Sequence, residues 1–147
     1  MRAFRFNLQR VLSYRETVED ALMTELAAIA TEHEREVARL DHIRRTRDSF
    51  RVSMKEKLAE GDPEVIRRAH GYLTALSERV VDQEETVRRI ALKKEEKTAE
   101  VVEASKDRQV LDRLKEIKAT EHRRETQGEE QKFLDEVAGV RHQAKQV

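Results

Sequence analysis

The chain contains no cysteine, one proline and four glycines among its 147 residues, and only 4% of its residues are aromatic. Without cysteine it has no disulfide framework and no thiolate nucleophile, which fits a reducing compartment. The longest apolar run, LAAIA (26–30), is far shorter than a membrane span, and no apolar signal-peptide region is present. We therefore expect a cytoplasmic protein with very few turns.

Charge of one sign is also lacking, because thirty basic residues balance thirty acidic ones. No overall field therefore attracts nucleic acid. Charged residues make up 41% of the chain and hydrophobic residues 37%, a composition typical of long helices and coiled coils. Disorder is the alternative for so polar a chain, and regularly spaced apolar residues would exclude it.

The clearest interruption in the chain is the segment EGDPE (60–64). Gly61 suits the left-handed residue after a helix, Asp62 can cap the next helix, and Pro63 fits its first position. The segment predicts a first helix over 7–60, a turn at 61–62 and a second helix from residue 63. So short a turn makes the two helices antiparallel neighbours.

The second helix repeats apolar residues at alternating spacings of three and four, the heptad pattern of a coiled coil. Its fourteen seam positions, ten of them apolar, are Ile66, Ala69, Leu73, Leu76, Val80, Gln83, Val87, Ile90, Lys94, Lys97, Val101, Ala104, Arg108 and Leu111. The charged members Lys94, Lys97 and Arg108 are expected to reach solvent or to meet an acid of the other helix.

The first helix has a less regular seam. At the same spacing it carries Leu26, Ile29, His33, Glu36, Leu40, Ile43, Arg47, Phe50, Met54 and Lys57. Upstream, a register displaced by four residues holds Leu8, Val11, Arg15, Val18 and Leu22. This displacement predicts a stutter, which locally unwinds a coiled coil.

In the folded hairpin, residues that face one another should have numbers that sum to about 123, and the paired part of the second helix should cover 63–115, about 80 Å. Residues 116–147 then form an overhang without a partner in the first helix. The overhang carries an apolar stripe at helical spacing, Phe133, Leu134, Val137 and Val140. Thr126 and Glu129 form a candidate capping box beside Gly128, where the second helix can break and restart.

The N-terminus combines apolar and basic residues. Phe4 and Phe6 precede the first helix, which Asn7 can cap, and Phe6 and Val11 have the spacing of a hydrophobic staple. The four arginines within the first fifteen residues could form a patch for nucleic acid or an anionic membrane surface. Acids from Glu16 onward offset their charge, and no aromatic stacking platform follows, so neither ligand is favoured.

No catalytic constellation is present in the sequence. The five histidines are scattered; His122 and Glu125 form an isolated H-x-x-E, and we expect a solvent-exposed histidine there rather than a metal ligand. His33 falls on the seam as a tolerated polar residue. The chain has no glycine-rich loop for phosphate, and a two-helix hairpin offers no concave pocket. We predict a protein that is not an enzyme and has no metal, cofactor or small-molecule substrate.

Both ends of the chain resemble one family. The segment FRFNLQRVLSYRE (4–16) resembles the F-x-F-x-L-x-x-V-L start of the FliJ family of flagellar type III export proteins. The segment EEQKFLDEVAGVRH (129–142) is similar to the E-Q-K-x-L-D-E segment of that family. The middle of the chain matches the family only as a heptad pattern.

The resemblance implies an all-α protein, a long antiparallel two-helix coiled coil with a protruding C-terminal segment, similar to the central stalk of rotary ATPases. It implies three partners: the flagellar export ATPase ring, the cytoplasmic domain of the export gate and the export chaperones. The protein would then lie at the cytoplasmic face of the cell membrane through the export apparatus. A structural coiled coil that self-associates or serves as a scaffold of another assembly is the alternative.

Two sites for partners are predicted. The termini should insert into the ATPase ring, although a tail that folds back and only solubilises the hairpin remains an alternative. The second site lies near the turn, where the resemblance associates an aromatic residue and a leucine with the export gate; the alternative is that the aromatic residue, Tyr72, only flanks the seam and shields it. The predicted contact residues are Arg2, Phe4, Arg5, Phe6, Tyr72, Leu76, Gln131, Phe133, Leu134, Val137 and Val140, with Arg141 and Lys145 as steering charges.

Overall fold

The computed structural model describes residues 2–59 and 61–146 and shows an all-α helical hairpin, which confirms the predicted fold class. Two helices, α1 (Gln9–Leu58) and α2 (Pro63–Ala144), pack against each other, and the described residues contain no strand. The chain groups into two compact units. One is Ala21–Val102, and the other joins the residues up to Asp20 with those from Glu103 onward.

The turn between the helices has the predicted chemistry. Gly61 has a φ of 75°, the left-handed conformation that glycine adopts without strain. The Asp62 side chain accepts a hydrogen bond from the Glu64 N–H at 3.1 Å, and its carbonyl accepts one from the Ile66 N–H at 3.1 Å. Pro63 is the first residue of α2. Helix α1 ends at Leu58, and the predicted last residue, Glu60, lies outside the described residues.

In the unit Ala21–Val102 the core is a narrow seam between the two helices. Its buried apolar residues are Leu40, Leu76, Val80 and Ile90. Gln83 is buried among them, and its amide donates to the Glu36 carbonyl oxygen at 3.0 Å and to the Glu36 carboxylate. A buried amide with these partners avoids the desolvation cost of an unpaired polar group. The seam therefore includes one satisfied polar layer.

Contacts across the seam of this unit confirm the predicted antiparallel register. Phe50 and Tyr72 meet edge to face, with their ring centroids 4.7 Å apart. The Lys97 ammonium lies 2.7 Å from the Glu25 carboxylate. Hydrogen bonds from Lys97 to Glu25 and then to Glu100 raise the pKa of the Lys97 side chain. A lysine at a seam position is thus accommodated by an acid of the other helix, as expected.

The second unit has a smaller core that contains a charged layer. Leu12 is 1% exposed, and Ala104 is buried as well. Glu19, only 8% exposed, is held by the Arg108 guanidinium, which also binds Asp112 at 2.6 Å. The hydrogen bonds of Arg108 to Glu19 and then to Asp112 raise the pKa of the arginine. A carboxylate is therefore buried in the seam because its cation is beside it.

The predicted stutter in α1 is wrong. Buried and half-buried side chains recur at Leu12, Arg15, Glu19, Leu22 and Leu26, at alternating spacings of three and four without interruption. Of the apolar residues in the displaced register, Leu8 and Val11 are 39% and 42% exposed, Val18 is half-buried, and Leu22 belongs to both registers. The heptad continues because Glu19, an unattractive seam residue by itself, is neutralised by Arg108 from α2.

Two further local features differ from prediction: the path of α2 at Gly128 and the cap at the start of α1. Helix α2 runs through Gly128 without a break, and the Thr126 hydroxyl donates to the His122 carbonyl at 2.9 Å, as threonines inside helices do. The predicted capping box is therefore absent there. At the start of α1, the Gln9 N–H donates to the Phe6 carbonyl at 3.1 Å, so that a backbone turn takes the role predicted for the Asn7 side chain.

Candidate docking surface at the termini

The residues before α1 are not helical and lie along α2; we call residues 2–8 the N-terminal segment. The ring of Phe4 packs against the imidazole of His122, with centroids 5.7 Å apart and planes inclined by 55°. Phe4 and Phe6 are both half-buried. They border a cleft of about 540 Å³ whose α2 side includes Leu114 and Lys118. The two phenylalanines therefore anchor the segment on the second helix.

The expectation of a solvent-exposed His122 is wrong, because this residue is half-buried against Phe4. The N-terminal segment also lies along the start of the predicted overhang, 116–147. On the same side of α2, Ala119 and Thr126 are half-buried, whereas Val137 is the only residue of 127–146 that is not exposed. The N-terminal segment thus covers part of α2 that α1 does not reach.

A second groove, of about 1000 Å³, continues from this segment along α2. Its walls are formed by Arg2, His122, Glu125, Thr126, Glu129, Glu130, Phe133 and Leu134. Three carboxylates share the groove with one arginine, so its polar rim is acidic. At its far end the apolar side chains of Phe133 and Leu134 are 65% and 59% exposed. The groove therefore leads from an acidic rim to an apolar surface.

The exposed apolar surface consists of Phe133, Leu134, Val137 and Val140, which we call the terminal apolar face. Val140 is 67% exposed and Val137 is half-buried. Residues three, four and seven apart share a side of a helix, so Phe133, Val137 and Val140 form one stripe with Leu134 at its border. An apolar stripe of this kind in water marks an interaction surface more often than scattered single residues do.

The remaining predicted contact residues of the termini are polar and exposed. Gln131 donates a hydrogen bond to Asp135 at 3.0 Å, on a side of α2 away from Phe133. Arg5 is exposed and borders the cleft beside Phe4. Arg141 lies in the last turn of α2, where a cation also interacts favourably with the helix dipole. The structure therefore brings Arg2 of the N-terminal segment together with Phe133 and Leu134 in one groove, and Gln131 lies on another side of α2.

The second predicted site, near the turn, has one accessible member. Tyr72 is 48% exposed, and its inner edge rests on Phe50. Leu76 is 3% exposed and is enclosed between the two helices. A direct contact of Leu76 with another protein would require the helices to separate, so Tyr72 alone presents a surface there.

Within the described ranges, no group of three or more histidine, cysteine, aspartate or glutamate residues is placed to hold a metal ion. His33 is half-buried at the seam, as predicted from its heptad position, and shares a shallow groove with Lys94. Within 2–59 and 61–146, neither α1 nor α2 contains an apolar stretch of sufficient length to span a bilayer.

Sequence reasoning did not find two residues that define this surface and its support. Glu19 lies outside the predicted seam because the apolar Val18 and Leu22 favour the displaced register, although a heptad extended back from Leu26 passes through Glu19. His122 was considered only as a metal ligand or a solvated residue. Its position three residues before Glu125 carried no signal for a contact with Phe4, which comes from the other end of the chain.

Comparison with known proteins identifies the family. No curated protein and no solved structure gives a significant match to the chain. The family described as "Flagellar FliJ protein" matches residues 4–147, nearly the whole chain, including the N-terminal segment from Phe4 onward and the terminal apolar face. The chain therefore belongs to the FliJ family and is a component of the flagellar export apparatus.

Proposed function

We propose that this protein couples the flagellar export ATPase ring to the export gate and to export chaperones at the cytoplasmic face of the membrane. In this proposal its termini insert into the ring, and the region near the turn contacts the cytoplasmic domain of the gate. The single observation that carries the proposal is the terminal apolar face, four apolar residues of which three are more than half exposed. Family membership supports the choice of partners.

The chemistry of the terminal surface suits insertion into a protein ring. Phe133 and Leu134 offer aromatic and aliphatic anchors, and burial of such residues at the centre of an interface supplies most of its binding energy. Arg2 lines the groove that ends at these anchors, Arg5 borders the cleft beside Phe4, and Arg141 lies in the last turn of α2. These cations would accelerate the encounter if the partner surface is acidic. Because α2 needs none of these apolar side chains for its contacts with α1, docking would cost the hairpin little.

The test of ring docking compares valines of equal exposure. Val140, in the terminal apolar face, and Val110, outside it on α2, are 67% and 68% exposed. Val140→Ser should weaken binding to the purified ATPase several-fold, and Phe133→Ser about tenfold or more, because each removes an apolar anchor. Val110→Ser should leave binding unchanged. Affinity is measured by surface plasmon resonance, and equal affinities for all three variants would refute the proposal.

For the gate, the exposed half of Tyr72 is the proposed contact. Tyrosine buries a large area at a small entropy cost, and here the ring is already oriented by Phe50, so less order is lost on binding. Leu76 supports this part of α2 from inside the seam. In this proposal the Tyr72 side chain supplies most of the free energy of binding to the gate.

Replacing Tyr72 with Ala should reduce affinity for the isolated cytoplasmic gate domain about tenfold. Helicity should stay constant, and the free energy of unfolding should fall by about 1 kcal/mol because the ring contact with Phe50 is lost. The control is Tyr14→Ala, which removes the other tyrosine, 63% exposed, and should affect neither binding nor stability. Isothermal titration calorimetry and thermal melts measure both quantities. Unchanged gate affinity together with reduced stability would assign Tyr72 a structural role only.

A further inference from the structure

The terminal apolar face has the geometry of one half of a coiled coil. Phe133, Val137, Val140 and Ala144 follow one another at spacings of four, three and four, as the paired seam residues of α2 do. All of these except Val137 are exposed. A heptad seam is complementary to another helix, because the side chains of that helix fit into the holes between the seam residues. The occupant that fits this face is therefore helical.

We propose that the helix covering this face is the same segment, residues 127–146, of a second copy of this chain, in an antiparallel pair related by a twofold axis. In such a pair every contact occurs twice. The register that places Val137 opposite Phe133 of the second copy also places Phe133 opposite Val137. The two Leu134 side chains then lie beside the axis. All four residues of the terminal apolar face become covered at once.

Charge complementarity favours the antiparallel direction, although the two Glu136 carboxylates also come beside the axis, each next to a Lys132 of the other copy. On the side of Leu134, Glu130 comes opposite Arg141 of the second copy. On the other side, Lys132 comes opposite Glu136. Each pair is repeated by the symmetry, which gives four opposite-charge pairs around the apolar centre. A parallel, in-register pair would instead place the two Glu130 carboxylates against each other at a seam position.

The groove beside the N-terminal segment fits the end of the second copy. In the same register Ala144 of the second copy meets Thr126, which lines the groove. The last turn of α2 carries Arg141 and His142, and the groove rim carries the carboxylates of Glu125 and Glu129. A basic helix end therefore enters an acidic groove of about 1000 Å³. The groove and the terminal apolar face form one continuous self-complementary surface.

Self-pairing would hide the side chains that dock into the ATPase ring, so the two states exclude each other. This regulatory consequence rests on the proposed function, whereas the self-pairing itself does not. In the dimer the terminal apolar face is buried. The ATPase ring and a second copy of the chain then compete for the same surface of the monomer.

Sedimentation velocity of the purified full chain, with no other protein present, tests the pairing. We expect a monomer–dimer equilibrium that weakens as salt is raised. Glu130→Lys and Arg141→Glu should each raise the dimer dissociation constant about tenfold, because two attractive pairs become repulsive. The double variant exchanges the charges and should return the constant to within about threefold of the parent value.

Two controls define the interface. Asp135→Lys makes the same change of charge as Glu130→Lys on the far side of the helix and should not alter pairing. Because the chain lacks cysteine, Leu134→Cys gives a unique thiol beside the axis, which should oxidise to a cross-linked dimer much faster than Gln131→Cys.

The pairing is overturned if the parent chain stays monomeric up to about 1 mM, if the double variant is no better than the singles, or if Asp135→Lys weakens pairing equally. A monomeric chain that still binds the ATPase would overturn the self-pairing and leave the proposed function standing. A chain that pairs as described but does not bind the ATPase would leave the self-pairing standing and overturn the proposed function.

Discussion

Replacing Arg108 with Leu should lower the melting temperature of the protein by about 10 °C, although an apolar side chain then occupies the seam. The reason is Glu19, which is 8% exposed and is paired with this guanidinium. Without Arg108 the carboxylate stays buried without its cation, and an unpaired buried charge costs far more than a salt bridge contributes. Circular dichroism melts measure the change.

The companion variants make this prediction specific. Glu19→Leu alone should cost less, because Arg108 keeps Asp112 at 2.6 Å. The double variant, Glu19→Leu with Arg108→Leu, should melt at or above the temperature of the parent, since an apolar layer replaces a desolvated ion pair. Arg15→Leu breaks only an exposed pair with Asp107 and should change the melting temperature little. Equal losses for Arg108→Leu and Arg15→Leu would contradict the importance of burial.

Removing residues 127–147 should abolish association with the export ATPase while leaving the thermal stability of the hairpin nearly unchanged. Apart from Val137, which is half-buried, the described residues of this stretch are exposed, and the buried core residues all precede it. The truncation therefore removes the terminal apolar face without opening the seam. Co-sedimentation with the ATPase ring measures association, and a melt of the same sample measures stability.

A full-length control separates the apolar side chains from the mere length of the helix. Replacing Phe133, Leu134, Val137 and Val140 together with Ser keeps residues 127–147 in place and should abolish association as the truncation does. Undiminished association of the truncated chain would refute ring docking through this end. If the truncation abolishes association with the ATPase but the serine variant does not, other residues of 127–147 make the contact.

The seam of α2 shows why much of the fold was predictable. All fourteen predicted positions are buried or half-buried. The turn followed equally directly, because Gly61, Asp62 and Pro63 each favour the backbone conformation that they adopt. These features depend on residues close together in the sequence, so local spacing and local chemistry suffice to find them.

The N-terminal segment shows what could not be predicted. A residue-by-residue pairing of two helices ends near residue 115, yet Arg2 lines a groove that extends to Leu134. An extended chain advances about 3.3 Å per residue and a helix about 1.5 Å. Non-helical residues can therefore cover more residues of α2 than the same number of helical residues would. The covered length depends on the conformation of the segment, which its composition did not reveal.

The sequence by itself determined the all-α class, the antiparallel hairpin, its turn and register, and, through its end motifs, the family. Tertiary structure alone decided that Glu19 enters the seam, that Phe4 rests on His122, and that the uncovered surface begins near residue 127. The difference has one physical cause. Periodicity reports which side of a helix is apolar, whereas the burial of a charge or a ring depends on a partner from a distant part of the chain.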